Sequence, residues 1–331
     1  MYLISVIISV FNVEKYVGRC IDTVLGQTMQ EGVEVIIVND CTPDRSMEII
    51  FEVLCAYNAR PDEKKMTVHV VNHDMNCGIA AVRNTGMSHA CGKYVIYVDS
   101  DDWLAPDMLE KLYGKAVQEN ADITICDYNE VYYTRTKQIH VNPPCDNTDC
   151  VIALLSGQMH GGVWNKLVKK ELYDRYHITC TKGMNMLEDL CVTYRLFYFA
   201  KRIAYVNKPL YNYFCGNEYS YTTKHLSNKS QEGMLLLIKQ MEMFFKKEKT
   251  NDIKLRTAFQ YFRIGVVSTI LLNGEKPIIT SLQMEEKFPF GTILHHPSLS
   301  VFFKTAMLFH RLHISGGVTI LRSLRGGIRK R

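Results

Sequence analysis

The sequence predicts an α/β protein in which helices flank a mostly parallel sheet, with a helical region at the C-terminus. Near-continuous apolar runs at residues 3–10, 33–38 and 94–98 are typical of strands buried on both faces of a parallel sheet. Helical periodicity alternates with these runs at the spacing of βαβ units. Parallel strands joined in this way have right-handed crossovers. These observations together favour a parallel sheet over an antiparallel one.

Polar side chains stand where each of the first four predicted strands ends. Asn12, Asp40, Asn72 and Asp99 follow the runs at residues 3–10, 33–38, 67–71 and 94–98, in that order. Because the C-terminal ends of parallel strands lie at one edge of a sheet, these four side chains are expected to converge there. Ligands of open α/β sheets bind at that edge. The sequence therefore predicts a binding site made from strand ends.

The densest group of acids closes the fourth strand, in the run YVIYVDSDDWL at residues 94–104. Three carboxylates within four residues repel one another unless a cation neutralises them. Asp99 and Asp101 lie on one side of an extended backbone, and Ser100 points away. Carboxylate oxygens at this spacing suit Mg²⁺ or Mn²⁺ with a diphosphate as a further ligand. The alternative is a solvated acidic turn in which Asp102 caps the next helix. The run alone leaves both interpretations open.

Composition excludes several classes of protein. The chain has 331 residues, of which 47% are hydrophobic and 22% charged, as in globular proteins with a core. No apolar run approaches the roughly 20 residues of a membrane span, and the apolar N-terminus is interpreted as a strand rather than a signal peptide. The 11 cysteines are odd in number and form no C-x-x-C pair, which favours reduced thiols and a cytoplasmic location. A net charge of +5 is modest, and no nucleic-acid partner is predicted.

Two common phosphate-binding motifs are absent from the sequence. No G-x-G-x-x-G follows the first strand, and no G-x-x-x-x-G-K-[ST] occurs, so dehydrogenase-type and P-loop chemistry are not predicted. A diphosphate therefore needs a metal or basic side chains. Arg83, in the helix predicted over residues 78–90, is a candidate for the phosphates. By spacing alone it is also compatible with an ion pair on the helix surface.

Three runs of the sequence resemble one known family. They are SVIISVFNVEKYVGRCIDTVLGQT, then VEVIIVNDCTPDRS, then NCGIAAVRNTGMSHACGKYVIYVDSDDWL. In this order they resemble inverting family-2 glycosyltransferases of bacterial polysaccharide synthesis, which have the GT-A (nucleotide-diphospho-sugar transferase) fold. The resemblance is dense over residues 4–104 and continues more loosely to about residue 213. The order of the motifs is specific, whereas no single motif is.

The resemblance implies a nucleotide site along the strand ends. The base and ribose would be lined by the segment after the first strand, with the residues Val10, Phe11, Asn12 and Glu14. Asp40 would accept a hydrogen bond from the base, usually uracil in this family. Gly78 and Arg83 would approach the diphosphate and the sugar. Asp99-Ser100-Asp101 matches the D-x-D motif of the family, so Asp101 would bind Mn²⁺ or Mg²⁺. Asp99 would contact the ribose or a metal-bound water.

The resemblance also implies where the catalytic base lies. Glu188-Asp189 stands at the start of a predicted helix, where an acid pair ordinarily stabilises the helix dipole. In the resembled family this pair carries the base, and Asp189 is the first choice with Glu188 as the alternative. The family often has Arg after the tyrosines near residue 213, but this chain has Cys215, Gly216 and Asn217. Residues 132–150 are polar and are predicted to form an irregular connection.

The prediction for the whole chain is a metal-dependent hexosyltransferase. Residues 1–217 would form the glycosyltransferase domain, with a nucleotide-binding half (1–104) and an acceptor-binding half (105–217), and residues 218–331 a helical region. The donor would be UDP-glucose, UDP-galactose or UDP-N-acetylhexosamine, and the acceptor a glycan or lipid-linked hydroxyl in cell-surface polysaccharide synthesis. The alternatives are a nucleotidylyltransferase that makes sugar nucleotides and a non-catalytic subunit that binds them.

The C-terminal tail is basic and partly apolar. No acid follows Glu286, and Phe- and Leu-rich stretches alternate with Lys and Arg up to Arg331. Such a pattern predicts contact with an anionic membrane, which would place the protein on the inner face of the cell membrane. The other interpretation is a helical cap packed on the main domain.

Overall fold

A computed structural model describes residues 1–61, 65–217, 226–274 and 288–329. The chain forms two compact units. The first contains residues 1–147, 161–183 and 188–218, and the second contains residues 148–160, 184–187 and 219–331. The predicted division of the chain at residue 217 stays a prediction. No helix within the described ranges combines the length and the apolar character that crossing a bilayer requires.

Strands and helices alternate strictly through the first 99 residues. The elements are β1 (Ile4–Val10), α1 (Val17–Leu25), β2 (Val33–Asn39), α2 (Ser46–Asn58), β3 (Thr67–Asn72), α3 (Ile79–His89) and β4 (Tyr94–Asp99). β1 pairs in parallel with β2 and β4, and β2 pairs in parallel with β3. The predicted βαβ alternation and the parallel sheet are therefore confirmed.

Burial explains why these sequences form these strands. All residues of β1 are buried except Ser9, and in β2 and β4 every residue but the last is buried. Such burial suits the continuous apolar runs of central strands. β3 lies at the edge of the sheet and is nowhere fully buried. α1 turns the apolar stripe Val17, Ile21, Val24 and Leu25 towards the core.

The later elements extend the same sheet with mixed pairing. They are β5 (Trp103–Leu104), α4 (Met108–Gln118), β6 (Ile123–Val131), β7 (Thr136–Ile139), α5 (Asn147–Leu155), β8 (Lys166–Lys169), α6 (Lys170–Arg175), α7 (Glu188–Phe199) and β9 (Ile203–Phe214). Among the described residues the strand order is β3-β2-β1-β4-β8-β6-β9-β5, and β7 pairs with β6. β6 and β9 are parallel, whereas β8 joins β4 and β6 by antiparallel pairing. Most paired residues nevertheless belong to parallel ladders.

The structure corrects two predictions in this part. Residues 132–150 are not irregular throughout, because β7 pairs with β6 from Tyr128↔Ile139 to Val131↔Thr136 and α5 begins at Asn147. Asp102 does not cap the next helix, which begins at Met108 after the short strand β5. The acidic-turn interpretation of Asp102 is therefore wrong.

The described part of the second unit is mainly helical, as predicted for the C-terminal region. Its longest elements are α8 (Asn228–Lys247) and α9 (Ile253–Asn273), followed by α10 (Phe290–Leu294), α11 (Val301–Arg311) and α12 (Ser315–Arg329). The side chains of Ser227 and Asp252 accept backbone N–H groups at the starts of α8 and α9, which satisfies donors that a helix end leaves unpaired. α9 buries an apolar face that includes Leu255, Val267 and Ile270.

Candidate active site

The register of the parallel strands brings the polar strand ends together. Ser9 of β1 is paired with Asp99 of β4, and Asn39 of β2 is paired with Asn72 of β3. The Asn39 side-chain amide donates to Asn72 Oδ1 at 2.9 Å, and the Asp40 backbone N–H donates to the Val10 carbonyl at 3.0 Å. The expected convergence at one edge of the sheet is therefore present.

The loop after β1 is tied to the loop after β2. Asn12 adopts a left-handed conformation (φ 55°), and its N–H donates to Thr42 Oγ1 at 2.7 Å. The Glu14 N–H donates to Asp44 Oδ2 at 2.9 Å, and the Glu14 carboxylate accepts the Arg45 N–H at 3.0 Å. Two loops far apart in sequence thus form one wall.

The residues predicted to contact the base differ in how much of their surface is exposed to solvent. Val10 is fully buried, whereas Phe11 is 42% exposed. An exposed aromatic ring at the end of a central strand provides a surface on which a base can stack. Phe11 is accordingly the side chain in this wall best placed to meet a planar ligand.

Asp40 is buried and organises the turn before α3. Its Oδ1 accepts the Cys77 N–H and its Oδ2 accepts the Gly78 N–H, both at 2.8 Å. Gly78 has φ 84°, a conformation that favours glycine, and it immediately precedes α3. His73 contacts Asp40 Oδ1 through Nδ1 at 2.8 Å and Thr85 Oγ1 through Nε2 at 2.9 Å. Asp40 therefore fixes the backbone that leads to Arg83.

Asp40, His73 and Cys77 also form a group with the chemistry of metal ligands. One potential ligand atom from each lies within 4.8 Å of the other two. In this structure Asp40 and His73 bond directly to each other, and the Cys77 thiol donates to the Met75 carbonyl. Each of the three side chains therefore already has a hydrogen-bond partner in the protein.

The four residues from Asp99, the last residue of β4, to Asp102 have four different environments. The Asp99 side chain is 27% exposed and its Oδ1 accepts Arg83 Nη2 at 3.3 Å. Ser100 is buried. Asp101 Oδ2 accepts the Asn217 amide at 2.8 Å. Asp102 has no exposed surface and accepts the Tyr211 hydroxyl and the Phe214 N–H, both at 2.7 Å. Asp102 therefore anchors β9, while Asp99 and Asp101 lie partly exposed at the end of β4.

Arg83 joins the end of β4 to the start of α7. Its Nη2 contacts Asp99, its Nη1 lies 3.0 Å from Glu188 Oε1, and Nη1 also donates to Asp189 Oδ1. The Arg83 side chain is only 3% exposed. The structure thus brings together the predicted D-x-D motif and the predicted catalytic pair, which are about 90 residues apart in the sequence.

Burial controls the acidity of this cluster. It raises the pKa of Asp99 to about 6 and the pKa of Asp189 to about 6, in both cases against the opposing effect of the Arg83 guanidinium. Burial also raises the pKa of Asp101, which the Asn217 hydrogen bond opposes. Carboxyl groups whose charge is disfavoured in this way gain most from a bound cation. Asp99 and Asp101 therefore offer the hard oxygen ligands that suit Mg²⁺ or Mn²⁺.

Several residues of this site were not predicted from the sequence. Arg19 lies over the Trp103 ring, 3.5 Å from the ring centroid, and its Nη2 donates to the Asp101 carbonyl at 3.3 Å. Asn217 bonds Asp101, and His73 bonds Asp40. His73 directly follows Asn72, the polar residue at the end of β3, so its position in the sequence could have marked it. Nothing local in the sequence marks Arg19 or Asn217.

Comparisons of the sequence with known proteins agree on one family. The model of glycosyl transferase family 2 matches residues 5–177. The putative glycosyltransferase EpsH of Bacillus subtilis is 31% identical over 219 residues, which cover 63% of this chain. This match spans about 60% of the length of EpsH, less than two thirds of it.

Solved structures share the fold. TarS 1–349 of S. aureus, in complex with UDP-GlcNAc, has a TM-score of 0.68 and 17% identity, and the match covers 98% of this chain and 92% of that one. A mannosyltransferase of Pyrobaculum calidifontis, in complex with GDP-Man and Mn²⁺, has a TM-score of 0.54 and 14% identity over 99% of this chain and 88% of that one. The predicted GT-A fold is confirmed. Because the family model also matches just over half of the chain, the chain belongs to glycosyltransferase family 2.

Proposed function

We propose that this protein transfers a sugar from a nucleotide donor to an acceptor hydroxyl with inversion. The observation that carries the proposal is the cluster in which Arg83 joins Asp99 to Glu188 and Asp189. It sets Asp99, which together with Asp101 would hold the cation that a donor diphosphate needs, beside an acid pair that suits a general base. Such a pairing is what a single displacement at a sugar carbon requires.

The base and ribose of the donor would lie along the wall formed by the loops after β1 and β2. The residues proposed to contact the base and ribose are Val10, Phe11, Asn12, Glu14 and Asp40. Gly78 and Ser100 would lie near the diphosphate and sugar. A carboxylate has about four acceptor positions, so Asp40 keeps capacity for a donor beyond the three contacts it makes. UDP-glucose, UDP-galactose and UDP-N-acetylhexosamine are the donors proposed, supported by the UDP-GlcNAc held by TarS.

Asp101 and Asp99 would hold Mn²⁺ or Mg²⁺, as supported by their oxygen chemistry and by the Mn²⁺ of the mannosyltransferase. The cation would stabilise the charge that develops on the departing diphosphate. Asp189 accepts the proton of the acceptor hydroxyl while the new C–O bond forms at the anomeric carbon. Glu188 is the alternative base. Because attack and departure occur on opposite faces of that carbon, the configuration inverts.

The acceptor proposed is a glycan or a lipid-linked hydroxyl of a cell-surface polysaccharide. Support for a membrane-bound acceptor comes from the C-terminal helices. Residues 288–331 contain no Asp or Glu. Of the 16 large apolar side chains that are exposed in the described part of the chain, seven lie between residues 290 and 324. They are Phe290, Leu294, Val301, Leu312, Ile314, Ile320 and Leu324.

Apolar side chains on an acid-free, basic segment suit an anionic lipid surface. We therefore propose that α11 and α12 contact the inner face of the cell membrane. This contact would bring the second unit close to lipid-linked acceptors.

The test of the transfer reaction is a donor screen with the whole chain. UDP-glucose, UDP-galactose, UDP-GlcNAc and GDP-mannose are each supplied with Mn²⁺, and release of the nucleoside diphosphate is measured. Release from one UDP-sugar, lost in Asp189→Asn, is the expected result. Pyrophosphate release from UTP and a sugar phosphate would instead indicate a nucleotidylyltransferase. Binding of a donor without any turnover would indicate a non-catalytic subunit.

A further inference from the structure

Arg83 is a buried cation shared by three carboxylates. Its guanidinium contacts Asp99 at 3.3 Å and Glu188 at 3.0 Å and also donates to Asp189. One positive charge therefore faces three negative ones. Like charges held this close repel, so the arrangement depends on the cation between them.

Neighbouring residues fix the direction in which Arg83 points. It lies in α3, which follows the Gly78 turn fixed by Asp40. The guanidinium carbon is 5.8 Å from the centroid of the Tyr97 ring, which lies buried in β4. Tyr97 thus backs the guanidinium on the side of the sheet.

The residue after Arg83 binds the same region of the chain. Asn84 donates to the Cys180 carbonyl and accepts the Cys180 N–H, each at 2.8 Å. Two consecutive residues of α3 therefore hold Cys180 and the acid pair that begins α7. The backbone N–H of Val163 adds a hydrogen bond to Asp189. The acid pair is thus held from more than one side.

We infer that Arg83 is a positioning residue, which holds Glu188 and Asp189 in place beside Asp99 rather than binding the donor diphosphate. The inference rests on the proposed function, because it assigns Asp189 the role of base. Both terminal nitrogens of Arg83 are engaged by carboxylates, and its side chain is only 3% exposed. To reach a phosphate, Arg83 would have to leave three acids that are themselves half-buried.

Arg83 Nε is buried and has no hydrogen-bond partner among the described residues. The guanidinium thus makes its contacts through the two terminal nitrogens only. A planar group that bonds different carboxylates through two fixed nitrogens sets direction as well as charge, which a lysine cannot reproduce. A Lys in its place would supply charge without the two-sided grip on Asp99 and the acid pair.

The experiment compares Arg83→Gln and Arg83→Lys with the parent chain. The turnover number is measured at saturating donor and acceptor, and the Kd of the UDP-sugar is measured by calorimetry with Mn²⁺. A misplacement of about 1 Å costs roughly 100-fold in rate. We therefore expect kcat to fall about 100-fold in Arg83→Gln and less in Arg83→Lys, with the Kd unchanged within about threefold.

Arg195→Gln is the matched control. Arg195 lies in α7, the helix that begins with the acid pair, but it donates to the carbonyls of Cys191 and Thr179 and contacts no acid of the cluster. Its kcat is expected to stay near that of the parent. Circular dichroism checks the fold of each variant, and if Arg83→Gln does not fold, Arg83→Lys decides the question.

Two results would overturn the inference. A Kd that rises in step with the loss of kcat would make Arg83 a ligand of the diphosphate. An unchanged kcat in a folded Arg83 variant would deny it any role in holding the base. Full turnover in both Asp189→Asn and Glu188→Gln is a separate outcome, because it would refute the proposed base. The effect of the Arg83 variants on kcat is measured independently of that result.

Discussion

The hydroxyl of Tyr211 donates a 2.7 Å hydrogen bond to Asp102, although 109 residues separate them in the sequence. The same carboxylate accepts the Phe214 N–H at 2.7 Å and has no exposed surface. Burial raises the pKa of Asp102 well above its usual range, and the neighbouring charges of Asp101 and Asp99 raise it further. Adjacent acids in one motif therefore have different tasks, since Asp102 holds β9 while Asp101 faces the strand end.

We predict that Asp102→Ala destabilises the fold. The substitution leaves the Tyr211 hydroxyl and the Phe214 N–H without their acceptor, and each unsatisfied buried group costs about 1–3 kcal/mol. Urea denaturation should show this loss in the free energy of unfolding. Asp101→Ala is the comparison, because among the described residues it removes the contact of its carboxylate with the Asn217 amide alone. Equal stability of Asp102→Ala and the parent would contradict the anchoring role.

We predict that Asp101→Ala abolishes transfer while the chain remains folded. Asp99 and Asp101 provide two carboxylates at the end of β4, so a cation held there needs further oxygen ligands from the donor diphosphate. When Mn²⁺ binding is measured by calorimetry, it should therefore be weak without UDP and strong when UDP is present. Full activity in excess chelator would refute the dependence on a cation.

The core of the sheet was predictable from the sequence because its signals are local. Continuous Val and Ile runs predicted β1, β2 and β4, and the polar residue after each run predicted the site edge. β7 was missed because its residues, Thr136–Ile139, are polar and largely exposed. β8 was missed because it is four residues long and has Lys at both ends, Lys166 and Lys169.

The polar contacts of buried charged side chains were not predictable in this way. Lys166 is 2% exposed and donates to the Gly162 carbonyl and to Asn165 Oδ1. A lysine at such a position has no signature that distinguishes it from a surface residue. The contact between Arg83 and the acid pair is of the same kind. The sequence marked Arg83, Glu188 and Asp189 separately, and the fold alone brings them together.

We predict that Asp189→Asn lowers kcat by about 10²–10⁴-fold, the usual cost of losing a positioned base. Binding of the UDP-sugar, measured by calorimetry, should remain, because the substituted side chain keeps its size. Glu188→Gln is the matched control and should retain more activity. If Glu188→Gln is inactive and Asp189→Asn turns over normally, the roles of the two acids are exchanged.

The pH dependence of kcat gives a second test of the base. Burial raises the pKa of Asp189 to about 6, although Arg83 opposes the rise. A general base must be ionised to accept a proton, so kcat should be constant above this pKa and fall as pH decreases through about 6. An acid limb near pH 4, the value of an ordinary aspartate, would show that the base is not the buried Asp189.

We predict that the basic C-terminal helices bind vesicles that contain phosphatidylglycerol. Each Lys or Arg near an anionic surface contributes on the order of 1 kcal/mol, and exposed apolar side chains add to this. Ile320 and Leu324 are 62% and 57% exposed and lie four residues apart, on one side of α12. The double substitution Ile320→Ser with Leu324→Ser should therefore reduce flotation with these vesicles. Leu236→Ser with Met243→Ser is the matched control, since both residues are exposed on α8 and should not contribute.

The lipid composition provides a second control, because the parent chain should not float with pure phosphatidylcholine. If the parent stays in the dense fraction with phosphatidylglycerol at low salt, or if the control pair reduces flotation equally, α12 does not contact the membrane and its apolar side chains have another role.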